Sequence, residues 1–482
     1  MRKSFFALVT VACLASCATL EPTYERPAAP VPSRFPDGAA YKDGGNTNSK
    51  PALPIGWRDF LVDPRLQRLV EIALWNNRDL RMAALNVRQV QAQYRIQRSA
   101  LLPSVAAFAD ESASRTAGKT PEAARAYSAG VAAAWEIDFF GRLQSLSDAA
   151  LQQYFASIEA RRAAEILLVS EVADQYLTML ALDEQLAVTR QTLATAQASY
   201  KIVKLQFDTG TAPELTLRQA QSVVELANAN LAAQIRGRAQ AENALVLLLG
   251  QPLPPDLPPI VRLGEQRMLA DIPAGLPSDL LERRPDILQA EALLRSENAD
   301  IGAARAAFFP SISLTGSLGA ASPTLGGLFG AGSQAWSFLP SITVPIFAGG
   351  ALQAGLDVAN IRKDIGVAQY EKAIQTAFRE VADGLAGRGT YDDQLAAQER
   401  YTAAQERSLE LAQFRYRNGV DSYLNVLTAQ TGLYEAQQAL VTTRLQRLTN
   451  LVDLYRTLGG GWIDGTLQKN NPQVRFASGA KS

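Results

Sequence analysis

The sequence predicts a mainly α fold with a transmembrane β-barrel sector, written as two structural repeats. Three observations carry this. The same landmarks occur twice, 207 to 209 residues apart: Leu101-Leu102-Pro103-Ser104 against Phe308-Phe309-Pro310-Ser311, Phe140-Gly141-Arg142-Leu143-Gln144 against Gly349-Gly350-Ala351-Leu352-Gln353, and Gly210 against Gly419. Each copy holds a 65-residue run without proline, 143–207 and 352–416. Ahead of each run lies a 37-residue segment, 104–140 or 311–347, with the two-residue alternation of β-strands and a tip rich in breakers.

The N-terminus reads as a targeting segment. Arg2 and Lys3 precede an apolar run from Phe5 to Ala15 that is too short to span a bilayer. It ends in Leu14-Ala15-Ser16-Cys17, similar to the lipobox of bacterial lipoproteins, which predicts a signal peptide over 1–16 and a lipid on Cys17. By that resemblance, Ala18 rather than Asp permits export to the outer membrane. The other cysteine, Cys13, leaves with the peptide, so no disulfide or thiol chemistry is expected. Residues 17–57 form a lipid anchor and Pro-rich linker.

The first repeat is placed at 58–250, with helices over 58–102, 142–207 and 213–249 around the hairpin 104–140. Pro103 stops the first helix, because the residue before a proline is biased out of the α region. The long helix carries apolar residues at alternating four and three, from Leu168 and Val172 through Leu186 to Val203, with Gln175 and Thr189 interrupting. That is a coiled-coil seam. A linker at 251–278 leads to the second repeat at 279–459, with helices over 279–309, 351–416 and 422–458 around the hairpin 311–347. Its last seam is read as Leu424, Leu427, Thr431 and Tyr434 onward, and 460–482 is read as a flexible tail.

Lengths suggest the assembly. A 65-residue helix is about 100 Å long, and the shorter helices placed end to end form a broken rod beside it. Both turns, at 207–221 and 416–430, then meet at the end away from the hairpins. Four strands per chain cannot close, since the smallest barrels have about eight, and open edges are not tolerated in lipid. The chain must therefore oligomerise; periodicity leaves two or three copies open.

These residues resemble a known family. GWRDFLVDPRLQRLVEIALWNNRDLR (56–81), WEIDFFGRL (135–143), LPSDLLERRPDILQAE (276–291), ARAAFFPSISL (304–314) and YRNGVDSYLNVLTAQ (416–430) are similar to outer-membrane factors of the TolC superfamily, in the OprM-like (NodT-type) branch of efflux lipoproteins. The resemblance implies a homotrimer with a 12-stranded barrel and an α-helical barrel in the periplasm. It implies docking to a periplasmic adaptor and an inner-membrane resistance–nodulation–division transporter, and the work of a passive exit duct for drugs. Members often carry Asp and Arg where this chain has Thr428 and Thr431. Leu424 is read as an apolar ring at that end, with Asp421 or Arg218 substituting for the absent charged gate. Gly210, Thr211, Gly419 and Val420 are read as adaptor contacts.

Enzymatic chemistry finds little support. No histidine occurs in 482 residues, which removes a Ser-His-Asp triad and histidine metal sites. Gly118-Lys119-Thr120 ends like a P-loop, but the required glycine is Ala113. Lys+Arg and Asp+Glu are 47 each, so no field favours nucleic acid. No cofactor is expected beyond the lipid. The competing functions are a type I secretion duct and a coiled-coil spacer lipoprotein; a periplasmic hydrolase is disfavoured.

Overall fold

A computed structural model describes residues 19–41, 56–115, 123–269 and 277–460. Cys17, the hairpin tip with Gly118-Lys119-Thr120 and the tail past Gly460 lie outside the described residues. The elements are α1 (Trp57–Phe60), α2 (Pro64–Asn76), α3 (Arg78–Ser99), β1 (Ser104–Arg115), β2 (Ala123–Ile137), α4 (Arg142–Asp208), α5 (Glu214–Leu249), α6 (Pro277–Arg283), α7 (Pro285–Ala306), β3 (Ser311–Ser322), β4 (Gln334–Thr343), α8 (Ala351–Arg417) and α9 (Tyr423–Thr457). The duplication is therefore structural: helix, hairpin, 67-residue helix and a helix of 35 or 36 residues occur twice. Among the described residues no helix is long and apolar enough to cross a membrane.

The chain divides into two compact units. The first comprises 1–28, 85–159 and 288–372, and holds the sheet. Its strands pair antiparallel in the order β1-β2-β3-β4, which leaves β1 and β4 as open edges. Phe140 stacks on Phe309 with ring centroids 5 Å apart to the nearest ångström (4.7 Å), closing the junction below β2 and β3.

The second unit comprises 29–84, 160–287 and 373–482. Its core forms where helices meet short segments. The helix expected over 58–102 is broken twice. Asp63 caps α2 by accepting from Arg65 N at 2.8 Å, with Pro64 at the first helical position. Asn77 then turns out of the helix. Its Oδ1 accepts from Leu80 N, and its Nδ2 donates to Leu248 O, both at 2.9 Å. The helix expected over 279–309 is likewise two, parted at Arg284. This guanidinium is buried and donates to Asp286, Glu380 and Thr457 O. It makes an ion-pair centre of a segment whose sequence reads as a helix start.

The inter-repeat linker is packed as well. Leu269 N donates to Phe60 O, Leu61 bridges to Met268, and Gln266 Nε2 reaches Asp63 Oδ2 at 2.8 Å. Asp63 Oδ2 also accepts from the fully buried Tyr176 OH at 3.1 Å. The polar interruptions of the α4 seam have partners. Thr189 Oγ1 lies 3.0 Å from Tyr434 OH and accepts from Gln438 Nε2 at 3.2 Å, and Gln175 Nε2 donates to Ala241 O at 2.9 Å. Such buried polar pairs fix helix register more than they stabilise.

Candidate functional site

The two helix turns form one cluster. Helix α4 ends where Gly210 takes φ +75°, and α8 ends where Gly419 takes φ +72°. In both, the glycine N–H bonds three residues back (Phe207 O or Tyr416 O), and the next N–H bonds five residues back (Gln206 O or Arg415 O). This is the Schellman stop, which favours glycine because other residues strain at positive φ. Val203, Leu217, Ala220, Tyr423, Val426 and Leu427 are buried together between the two turns. Tyr416 OH donates to Gln206 Oε1 at 3.1 Å, tying one turn to the other, and Tyr416 and Tyr423 lie 5.3 Å apart. The meeting of the turns is thus present within a single chain.

The predicted site residues separate by face. The buried seam of α9 begins with Tyr423, Val426, Leu427 and Gln430. Leu424 does not belong to it as the sequence reading had it, but is 51% exposed. Thr428 is exposed on the same stripe and donates to Leu424 O at 3.0 Å; Thr431 is half-buried beyond it. Asp421 is engaged by Arg415 at 2.6 and 3.1 Å, and those hydrogen bonds hold its carboxyl below the usual range. Arg218 pairs with Glu214 one turn earlier. Thr211 Oγ1 donates to Gln206 O at 2.9 Å, and Val420 is exposed beside Gly419. Sequence reasoning missed the exposed Ile202, Leu205 and Leu215 around the first turn. Their signal was apolar residues standing off the heptad seam.

The sheet has two unlike faces. Register places Val131, Ala133 and Trp135 of β2 opposite Leu318, Gly316 and Leu314 of β3, and these opposite Trp336, Phe338 and Pro340 of β4. The other face carries Ser128, Ser313, Thr315, Ser317, Ser337 and Ser341. One face thus suits hydrocarbon and the other water. From Ile312 to Ser322 the strand runs about 34 Å at about 3.4 Å per residue, or about 26 Å in height at a tilt of about 40°. That fits an outward apolar band about 25 Å tall.

The residues after Cys17 are docked as a strap, a feature the sequence reading treated as linker. In the first unit Arg26 donates to both oxygens of Glu291 at 3.0 and 2.8 Å, and Tyr24 OH donates to Oε1 at 3.3 Å. Arg295 completes the hub by pairing with Glu291 at 2.9 Å and lying over the Tyr24 ring. Burial pushes the Glu291 carboxyl up, but the two guanidiniums overcome it and hold the group below its ordinary range. Asn298 donates to Pro22 O and Arg305 to Leu20 O. Thr19 Cα lies 2.8 Å from where a Cβ on Gly141 would sit, just past the end of β2.

Comparison with known proteins agrees with this geometry. Residues 69–251 and 276–460 match the family model described as outer membrane efflux protein, one match per repeat. An antibiotic efflux pump outer membrane protein, ArpC, and a toluene efflux pump outer membrane protein, TtgC, both of Pseudomonas putida, are each 46% identical over 476 residues, covering 98% of either chain. The crystal structure of the open state of the Neisseria gonorrhoeae MtrE outer membrane channel superposes with a TM-score of 0.82 at 40% identity, covering 92% of this chain and 98% of that one. The fold is the TolC-like channel fold the sequence predicts.

Proposed function

This chain belongs to the outer membrane efflux protein family, and from that premise we propose that it is the exit duct of a tripartite efflux pump. It works as a homotrimer with a periplasmic adaptor and an inner-membrane transporter of the resistance–nodulation–division type. The observation that carries this is the two-faced sheet with two open edges. An apolar outer face needs lipid, a Ser- and Thr-rich inner face needs water, and unpaired edges need further strands. Relatives named for antibiotic and for toluene efflux favour small apolar or amphipathic cargo, moved passively.

The paired turns are the end that meets the adaptor, with Gly210, Thr211, Gly419 and Val420 at the tips. The narrowing is made by Leu424 and Thr428, an apolar and neutral ring. Asp421 and Arg218 are already engaged within their own chain and leave no charged pair to spare. Deleting the gene is expected to increase drug or solvent susceptibility. Unchanged susceptibility, with adaptor and pump intact and no redundant duct, would sink the reading.

The lipid belongs to the same proposal. Thr19, the first described residue of the strap, lies against Gly141 just past the end of β2, and Cys17 precedes it by two positions in the sequence. Cys17→Ala is expected to abolish labelling by radioactive palmitate, and retained label refutes the anchor.

A further inference from the structure

The Ser- and Thr-bearing face of the sheet, the inner wall of the duct in the reading above, is nearly featureless. Among the described strand residues it carries alanine, serine, threonine and glycine, and beyond these only Phe108, Asp110, Glu136 and Leu339. The other strand aromatics, Tyr127, Trp135, Trp336 and Phe338, share the opposite face. Phe108 pairs with Gly130, and Gly130 with Gly319. A Cβ on Gly130 would lie 2.5 Å from Leu318 O, and one on Gly319 would strike Ala129 O. Neither position accepts a side chain, so the Phe108 ring stands at a level of bare backbone. It is half-buried, whereas the rest of β1 is exposed.

Charge on this wall is as sparse as aromatic surface. Of its two carboxylates, Glu136 is held by Arg142 Nη2 through both oxygens, at 2.7 and 2.9 Å. Asp110 is exposed, and its cross-strand partner is Ser128. The arginines of β1 and β2, Arg115 and Arg125, stand on the opposite face and cannot neutralise it. The neighbouring Glu111 is on that opposite face too, where Tyr127 OH donates to it at 3.0 Å. Phe108 and Asp110 are two residues apart on one strand, so they project from the same face about 7 Å apart.

We propose that Phe108 and Asp110 form a wall subsite for organic cations that carry an aromatic ring. The ring of the cargo stacks on Phe108 and its ammonium turns toward Asp110. The proposal deepens the duct reading and rests on it. A neutral aromatic uses only the ring and a small cation only the carboxylate, whereas an aromatic cation uses both. Cation–π contacts and exposed ion pairs are each weak. Weakness suits a passage, where a site has to be left as readily as it is entered. In the homotrimer three such pairs stand at one height, and a ring of carboxylates favours cations over anions.

Single channels of the purified protein in planar bilayers test this. From the reversal potential in a potassium chloride gradient, the parent is expected to prefer potassium by about twofold or more, the scale of an exposed charge. Benzyltrimethylammonium is expected to reduce the current more than (cyclohexylmethyl)trimethylammonium, which matches it in size and charge but has no π face. Asp110→Asn is expected to lower the potassium preference and weaken block by both cations. Phe108→Leu is expected to abolish the difference between the two cations and keep the potassium preference. Phe108→Ile removes the ring equally, so failure of one variant to insert leaves the other to decide. Glu111→Gln, on the outer face, is expected to match the parent in every readout. A preference untouched by Asp110→Asn, or equal block of the parent by the two cations, overturns the subsite and leaves the duct standing, since the channel conducts. A parent that conducts no ions overturns the duct and the subsite together.

Discussion

Asp63→Ala is expected to cost the fold about 2–4 kcal/mol, the sum of a lost N-cap, one orphaned buried donor and a second donor left with one of its two bonds. The carboxylate is almost fully buried and serves three elements at once: Arg65 N in α2, Tyr176 OH in α4 and Gln266 Nε2 in the inter-repeat segment. Alanine leaves Tyr176 OH in the interior without an acceptor and Gln266 Nε2 with Val261 O alone. Asp63→Asn keeps one acceptor oxygen for the cap and is expected to lose about half as much. Thermal unfolding of the purified protein in detergent reads both. Equal melting of the alanine variant and the parent would show that the network is replaced rather than required.

The second large effect has the opposite sign. Asp174→Asn is expected to stabilise the protein at pH 8 and to be nearly neutral at pH 4. Burial raises the Asp174 carboxyl from 3.8 to about 7, with Asp453 and Glu171 adding to the rise and Arg456 opposing it. Its Oδ1 has no hydrogen-bond partner. A carboxyl whose folded pKa lies above its unfolded one favours the fold when protonated. That contribution is fully present below about pH 4 and is lost as pH rises through 7. The shift corresponds to a ceiling of about 4 kcal/mol; partial exposure reduces the expected gain at pH 8 to about 2 kcal/mol. Parallel loss of stability in both proteins between pH 5 and pH 8 would refute the assignment.

What could be read from the sequence was the part written locally. Gly210 and Gly419 announce their turns because positive φ favours that residue, and Pro103 and Pro310 announce helix ends by sterics. Strand alternation marked both hairpins. Thr189 showed only as an interruption, since its partners Tyr434 and Gln438 lie 245 and 249 residues away. Asn77 was hidden for the same reason: a polar residue fits a helix rhythm, and only Leu248 O across the second unit reveals the break. Leu424 was assigned to the seam by its spacing; Tyr423 is the residue that packs, one position away. The strap was illegible because nothing in residues 19–35 repeats or alternates. Its structure comes from Glu291, Asn298 and Arg305.

The strap has a consequence for the order of folding. Residues 20–26 are the first of the described chain to be synthesised, yet their partners lie 265 to 285 positions later. Chains emerge N-terminus first, so these residues wait for both long helices of the first half and the start of the second repeat. Closing so long a loop is also slow. The strap therefore docks only after residues 291–305 have emerged, late in synthesis although it is made first.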